Sequence, residues 1–394
     1  MPPIEFKDYS SAAAPPAPAC AFIYSPELEV GGYPEACPFN TRRAGRARAI
    51  LNDMGLLSGP GRREVAPVPA TEEELRRFHL PDYLAALKDG QEGRYDMASA
   101  AMGLGTPDCP IFPGMYDYVR LAVGGSLTAA RLILRGDAFI AFNPSGGFHH
   151  AHAGRASGFC YLNDVVLAAM ELAAAGRRVA ILDIDVHHGD GQQAAFYERN
   201  DVLTLSMHES GRTLFPGTGF ETEIGRGAGR GFCVNIPLPV GTYDLIYEHA
   251  FLEAALPVLR AYQPDVIVME LGMDTLSGDP LAHLNLTNNV IADVLERVRK
   301  LGKPILAVGG GGYNIPNTVR GWALCWSVLI GDHSRQHDLG VGMGGVLLEN
   351  TDWLGGLRDR VLLSEAGRRG PIDAEVHRVV EYLRTHVFPL HGLA

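Results

Sequence analysis

Between Ile181 and Gly191 the chain reads Ile-Leu-Asp-Ile-Asp-Val-His-His-Gly-Asp-Gly, an apolar strand pattern carrying carboxylates and imidazoles before it breaks at glycines. Side chains on a strand alternate between faces, so Asp183, Asp185 and His187 share one face while Leu182, Ile184 and Val186 share the other. The preceding Arg177-Arg-Val-Ala-Ile-Leu reads as a buried parallel strand. An unpartnered carboxylate in such a place costs roughly several kcal/mol or titrates to neutral. Two of them call for cations, and the stretch is a metal site in outline. A lone Asp-x-Asp is ordinary at a solvated strand end; the alternation, the second histidine and the Gly-Asp-Gly break set this one apart.

Asp185, His187 and Asp274 together supply two carboxylates and one imidazole, a three-ligand set that leaves positions open for water and substrate, as catalytic zinc requires. Zinc or iron(II) suits that mixture better than magnesium, which prefers oxygen alone. Taken by itself Asp274 reads equally as a turn or capping residue, since 275–279 has turn composition. His149 and His150 lie in Ser145-Gly-Gly-Phe-His-His-Ala-His, whose glycines let backbone approach a ligand closely. Such a pair in isolation is a solvated surface feature; beside a metal it is a natural general base toward metal-bound water, whose pKa falls to about 7. Asp183 and Asp190 are the carboxylates at hand to orient those imidazoles. Val308-Gly-Gly-Gly-Gly-Tyr313 has neither the Gly-Lys-Ser/Thr of a P-loop nor Gly-x-Gly-x-x-Gly with a later acid, so a nucleotide site is not expected. It suggests a tight turn presenting a phenol, ordinarily of pKa about 10, to a developing oxyanion, or else a packing tyrosine.

These residues need a scaffold that gathers them. The pattern predicts strands at 138–142, 178–184, 202–207, 232–236, 265–271 and 304–308, with helices at 116–134, 163–175, 190–198, 244–261, 287–301 and 316–330. Repeated β-then-α units imply a mostly parallel sheet covered by helices on both faces. In such sheets ligands bind beyond the C-terminal strand ends, which is where His149, His150, Asp185, His187, His208, Asp274 and Tyr313 fall. Five strands contribute, so one domain is expected. Upstream, Phe22-Ile-Tyr-Ser-Pro is a short strand, 42–57 a helix, and Thr71-Glu-Glu-Glu-Leu a helix start with Glu74 at the capping-box position. Residues 103–114 read as a loop. The proline-alanine tract ending at Cys20 makes 1–20 a flexible arm, with 21–394 a single catalytic domain; 331–370 reads as glycine-rich and irregular, and 373–387 as a closing amphipathic helix.

Composition narrows the class. No apolar run reaches the ~20 residues of a membrane span, and the N-terminus lacks the basic and apolar regions of a secretory signal, so a cytoplasmic protein without membrane contact is expected. Six scattered cysteines without Cys-x-x-Cys imply free thiols. A net charge of -11 disfavours nucleic acid and suits cationic partners such as lysine-rich peptides or polyamines.

Pro144-Ser-Gly-Gly-Phe-His-His, Ala156-Ser-Gly-Phe-Cys-Tyr-Leu-Asn-Asp164, Asp183-Ile-Asp-Val-His-His-Gly-Asp-Gly191, Phe215-Pro-Gly-Thr-Gly219 and Gly309-Gly-Gly-Gly-Tyr-Asn314 resemble, in order, the motifs of the zinc-dependent histone deacetylase family. The likeness spans about 22–332 and implies the arginase–deacetylase fold. It implies zinc on Asp185, His187 and Asp274, an acid–base dyad of His149 and His150 backed by Asp183 and Asp190, and Tyr313 polarising the amide carbonyl. It places Gly158, Phe159, Phe215, Leu281 and Gly311 along an acyl-lysine tunnel, Asp108 at the rim and Arg43 near the floor. It further implies an inner K+ or Na+ site at Asp183, Asp185, His187, Ser206 and Met207, and an outer one at Phe196, Arg199, Val202 and Phe232, where Arg199 replaces a smaller residue. His208-Glu-Ser-Gly-Arg-Thr-Leu-Phe is closer to the bacterial acetoin-utilisation branch than to eukaryotic class I, and Met273 stands where alanine is common.

The expected function is zinc-dependent hydrolysis of acetyl-lysine, or another short acyl-lysine, in proteins or peptides. An acetylpolyamine deacetylase is a second reading. A two-metal ureohydrolase is weakened because Asp274-Thr-Leu lacks a second carboxylate two residues on. A silent acyl-lysine-binding protein is a third, opposed by the presence of Tyr313 and both histidines.

Overall fold

Short apolar segments rich in Val, Ile, Leu and Ala build the centre of the molecule. The structure, a computed structural model, describes residues 19–30, 32–334, 356–360, 362 and 366–394. The strands are β1 Cys20–Ile23, β2 Arg62–Val65, β3 Ile140–Asn143, β4 Val179–Asp183, β5 Val202–Glu209, β6 Cys233–Leu238, β7 Val266–Glu270 and β8 Ile305–Val308. They form one sheet in the order β2-β1-β3-β8-β7-β4-β5-β6, and every pairing is parallel. β3, β4, β7 and β8 are buried along their whole length, as strands covered on both faces must be. β2, Arg-Arg-Glu-Val, is the charged edge strand.

Two helices cover one face, α5 Met115–Leu134 and α6 Asp164–Ala174, whose Ala130, Ile133, Val165 and Ala169 pack with Val179, Ile181, Val268 and Val308. Against the other lie α1 Arg43–Asp53, α8 Asp244–Ala250, α9 Leu256–Tyr262, α10 Asn288–Arg299, α11 Ile315–Leu329 and the closing α12 Ala366–His386. Ala180, Leu182, Ile184 and Val186 belong to this second layer and Val179 and Ile181 to the first, so the alternation read from the sequence is the one observed. Between α8 and α9 the helix widens into a π turn, Phe251–Ala255, ahead of Pro257, which has no N–H to continue the ladder.

The predicted 244–261 helix is therefore two helices joined by that turn. Thr71 does cap α2 Glu72–Leu75: its hydroxyl accepts the Glu74 N–H while the Glu74 carboxylate accepts the Thr71 N–H. α3 Pro81–Gln91 and α4 Met97–Ala101 are additional to the predicted elements, as is β2. α7 is Asp190–Phe196. β1 starts at Cys20, so the expected arm gives way to the sheet there; residues 1–18 lie outside the described residues, as does most of 331–370, and α12 begins inside the latter.

A third apolar cluster joins Tyr33, Phe39, Tyr83 and Phe112 to Phe148 and Tyr161 of the 145–162 loop. His79 ties it down: its Nε2 accepts the Asn163 N–H at 3.0 Å and its Nδ1 faces the Ala153 carbonyl at 3.3 Å, which fixes a neutral ring. Burial pushes this imidazole down from 6.5 to about 4. The unfolded chain takes up a proton on His79 near pH 6.5 and the fold resists it until about 4. The stabilisation is thus full above pH 6.5 and is lost as pH falls toward 4, a difference on the order of 3 kcal/mol. His79→Gln, which keeps an acceptor and a donor without titrating, should flatten the pH dependence of the melting temperature between pH 6.5 and 4, measured beside the parent protein.

Candidate active site

The loops leaving β3, β4, β7 and β8 converge because these are adjacent or near-adjacent strands in the middle of the sheet. After β3, the 145–150 loop is held from below by Asp164, whose carboxylate accepts the Gly147 N–H at 3.0 Å, the Phe148 N–H at 2.8 Å and the Ser126 hydroxyl at 2.6 Å. Asn163, the N-cap of α6, donates to the carbonyls of His149 and Ala151. The start of α6 therefore positions both histidines.

Asp185, His187 and Asp274 meet in the buried interior. His187 Nδ1 lies 3.2 Å from Asp185 Oδ1 and 3.1 Å from Asp274 Oδ2. These separations are close to the ~3.3 Å expected between donors arranged tetrahedrally at about 2.0–2.1 Å from one zinc ion. A second grouping that could hold a cation, His149, Asp185 and Glu270, shares Asp185 with the first. Burial alone would lower His187, but Asp185 and Asp274 push it up to about 10, and burial with Asp185 raises Asp274 to about 7. Two buried carboxylates beside one imidazole make a donor set that calls for positive charge. The residues present fit a zinc ion. Gly311 explains itself here: a Cβ on it would lie 1.9 Å from Asp274 Oδ2, and its N–H donates to Asp185 Oδ2.

Beside this trio His149 Nε2 and His150 Nε2 face each other at 3.0 Å. His149 Nδ1 donates to Asp183 Oδ2 at 2.9 Å, and His150 Nδ1 donates to Asp190 Oδ1 at 2.8 Å. One proton must occupy the gap between the two Nε2 atoms. Burial opposes charge on His149, but Asp183 and Asp185 raise it to about 9; burial and the neighbouring His149 lower His150 to about 3. His149 is accordingly the imidazolium and donor, His150 the neutral acceptor. Burial works against the charge on Asp190, yet its hydrogen bonds to His150 and His152 hold it well below the usual carboxylate range.

Aromatic rings wall the approach. Phe215 packs against His150 with centroids 4.9 Å apart, Phe159 against Tyr313 at 5.6 Å, and His187 lies 6.3 and 6.4 Å from the Phe215 and Tyr313 rings. Gly158 sits where a Cβ would strike His150 at 2.4 Å and Phe215 at 3.0 Å. Burial and the carboxylates of Asp274 and Asp185 keep the Tyr313 phenol protonated, well above its ordinary 10. Asp108 Oδ2 accepts the Gly158 N–H at 3.0 Å, so this carboxylate reaches across to the opposite loop instead of holding only its own. Leu281 is half-buried on a separate loop. Arg43 lies behind the glycine turn, between the Phe39 and Trp322 rings, donating to the Gly312 carbonyl at 2.8 Å and that of Gly310 at 3.1 Å.

The two expected monovalent-cation groups differ. Asp183 and Ser206 are in register on β4 and β5 next to the centre, with Met207 following, and all are buried. Phe196, Arg199, Val202 and Phe232 lie away from it, at the opposite end of β5. There the Arg199 N–H occupies the Phe196 carbonyl, the Thr204 N–H occupies that of Phe232, and the Arg199 guanidinium pairs with Asp201 at 2.6 Å. Four residues at the centre were not singled out from the sequence: Glu270, with neither buried oxygen hydrogen-bonded among the described residues; Gln192, which donates to Asp183; Asp164; and Asp279. Only Asp164 had a local signal, at a helix start after Asn163.

An eight-stranded parallel sheet layered by helices, with its polar centre at the C-terminal strand ends, defines an α/β protein of the arginase–deacetylase fold. The histone deacetylase domain matches residues 37–329, and the chain belongs to the histone deacetylase family. The acetoin utilization protein AcuC of Bacillus subtilis (strain 168) is 41% identical over 313 residues, 77% of this chain and 80% of that protein. Histone deacetylase 2 of Oryza sativa subsp. japonica is 38% identical over 317 residues, 80% of this chain but 62% of the longer plant protein. Histone deacetylase 3 of the same species is likewise covered over 62% of its length. The crystal structure of an HDAC homolog from Aquifex aeolicus matches with a TM-score of 0.83 at 30% identity, covering 92% of this chain and 98% of that one.

Asp274→Asn replaces a charged donor in the trio with a neutral one. It should weaken zinc affinity by more than the roughly 10–100-fold that loss of a merely supporting partner costs. Competition against a chromogenic chelator measures this directly.

Proposed function

We propose that the protein is a zinc-dependent lysine deacetylase, hydrolysing acetyl-lysine or another short acyl-lysine amide in proteins or peptides to a carboxylate and free lysine. The observation supporting this most is that the Asp185–His187–Asp274 trio, the His149–His150 pair and Tyr313 meet at the inner end of an aromatic-walled approach. Asp185, His187 and Asp274 hold the metal, zinc by preference and iron(II) by the same donor chemistry. When bound, zinc supplies Lewis acidity that polarises the carbonyl and acidifies water to a pKa of about 7. The histidine pair takes the proton from the attacking water and gives one to the departing amine, with Asp183 and Asp190 orienting the two rings. Tyr313 donates its phenolic proton as a hydrogen bond to the oxygen that becomes negative. Phe159, Phe215, Gly158, Gly311 and Leu281 line the passage for the lysine chain, Arg43 fixes the turn at its floor, and a K+ or Na+ ion at Asp183, Asp185, His187, Ser206 and Met207 offsets buried negative charge. The outer group at Phe196, Arg199, Val202 and Phe232 is a weaker candidate, because two of its carbonyls already accept protein N–H groups. We place the enzyme in the cytoplasm, acting on acylated proteins and not on nucleic acid or membranes.

Tyr313→Phe should retain zinc and fold while lowering kcat by about 10²–10³, the usual effect of losing one oxyanion donor. Steady-state kinetics with parallel metal analysis checks it, and near-normal turnover would remove Tyr313 from the chemistry. Asp108 discriminates between substrate classes, because a rim carboxylate can accept the backbone N–H groups of a peptide and free polyamines have none. Asp108→Ala should reduce kcat/KM for acetyl-lysine peptides by roughly 10–100-fold and change acetylpolyamine turnover much less. Equal losses on both substrates would count against a peptide-binding role.

A further inference from the structure

Tyr313 follows four glycines, and a run of that kind contributes no side-chain anchor of its own. Gly310 and Gly312 have φ of +105° and +133°, conformations that leave the turn dependent on tertiary contacts. The peptide unit joining Gly312 to Tyr313 is gripped at both ends. Its carbonyl accepts from Arg43 Nη1 at 2.8 Å, and its N–H donates to Asp279 Oδ2 at 2.7 Å. The same Asp279 oxygen accepts the Asn314 N–H at 3.1 Å, while Oδ1 accepts the Leu281 N–H at 2.9 Å. Asp279 is buried, at 8% exposure, so these bonds are shielded from water. Its role is not that of the α11 cap. Asn314 already fills that position by accepting the Asn317 N–H, and the two N–H groups on Asp279 Oδ2 belong to the cap residue and the residue before it. Further ties join the same two loops: Asn314 Nδ2 donates to the Gly278 carbonyl and Asn317 Nδ2 to that of Ser277.

We infer that Asp279 is a positioning residue for catalysis, one carboxylate that sets both the backbone of Tyr313 and that of Leu281 and so couples the wall of the substrate passage to the oxyanion donor. The inference rests on the reading of Tyr313 as that donor. Asparagine at 279 has a single acceptor oxygen and would present an amide N–H to whichever side the oxygen leaves, so it cannot hold both groups.

The test is a double-mutant comparison of D279N, Y313F and the combined variant, with zinc content, melting temperature, kcat and KM measured on one acetyl-lysine peptide. D279N should keep near-stoichiometric zinc, lower kcat by about tenfold or more and raise KM; in the Y313F background the same change should lower kcat by less than about twofold, because the group being positioned is already gone. KM should still rise there, since the tie to Leu281 is lost in either background. Equal fold losses of kcat in both backgrounds would make Asp279 a structural residue only and overturn the inference while leaving Tyr313 in place. Unchanged kcat in D279N overturns it as well. Near-normal kcat in Y313F overturns the reading of Tyr313 and the inference together. If D279N does not fold, D279S, whose small hydroxyl can serve one N–H without adding bulk, is read by the same comparison.

Discussion

The structure is governed by buried negative charge at the C-terminal edge of the sheet. Asp164, Asp183, Asp185, Glu270 and Asp274 are each at most 1% exposed. A carboxylate so placed must be met by hydrogen bonds, by a cation or by a proton. Each is answered differently. Asp164 is met by two backbone N–H groups and a serine hydroxyl, and in return fixes the loop that carries the histidines. Asp183 is met by His149, by Gln192 and by the Asp185 N–H. Asp185 and Asp274 share His187, and the three donor atoms lie close enough together that they could hold a metal ion. The layers of Val, Ile, Leu and Ala on either side of the sheet exclude the water that would otherwise settle the matter without one.

A site of this kind needs backbone to come very close to charged atoms, and the glycines serve that need. Gly311 presses against Asp274 and gives its N–H to Asp185, so the turn before Tyr313 is registered against that trio. On the other side of that turn Arg43 is buried between two aromatic rings with its donors on carbonyl oxygens. Burial lowers its guanidinium from the ordinary value, yet the carbonyls and the nearby carboxylates keep it a cation. Loop, turn and trio are thus one hydrogen-bonded body, and the rigidity of the turn before Tyr313 is spread over residues far apart in sequence.

Much of this was legible in the sequence because the chemistry sits at strand ends, where an apolar run stops and a polar residue begins. The apolar alternation that ends β4 and runs past it marks Asp183, Asp185 and His187, and the capping box at Thr71 marks α2 through local chemistry alone. β2 was not legible: Arg-Arg-Glu-Val is an edge strand paired only to β1, and it has no apolar face to read. α4 buries only Ser99 and leaves equally little pattern. α3 does carry a signal, with Pro81 in the first turn and Tyr83, Leu84 and Leu87 at helical spacing, but it is short and lies next to glycine-rich sequence. Asp279 was out of reach for a different reason. Two of its partners are the N–H groups of residues 34 and 35 positions away, and only the folded chain brings them together.

Glu270 shows why strand register matters as much as residue type. Glu270 falls inside the predicted 265–271 strand, and β7 lies parallel to β4 with Glu270 opposite Asp183, so the two side chains share a face. Two carboxylates facing one another in a dry interior cannot both be ionised. Asp183 has the donors, His149 and Gln192, whereas Glu270 has none and stands 3.3 Å from His149 Nδ1. Burial and the charges of Asp183 and Asp185 push Glu270 well above the usual carboxylate range, and burial raises Asp183 as well, against the charge and hydrogen bond of His149. His149 thus stands between Asp183 at 2.9 Å and Glu270 at 3.3 Å, and it is the register of β4 against β7 that puts both carboxylates within its reach.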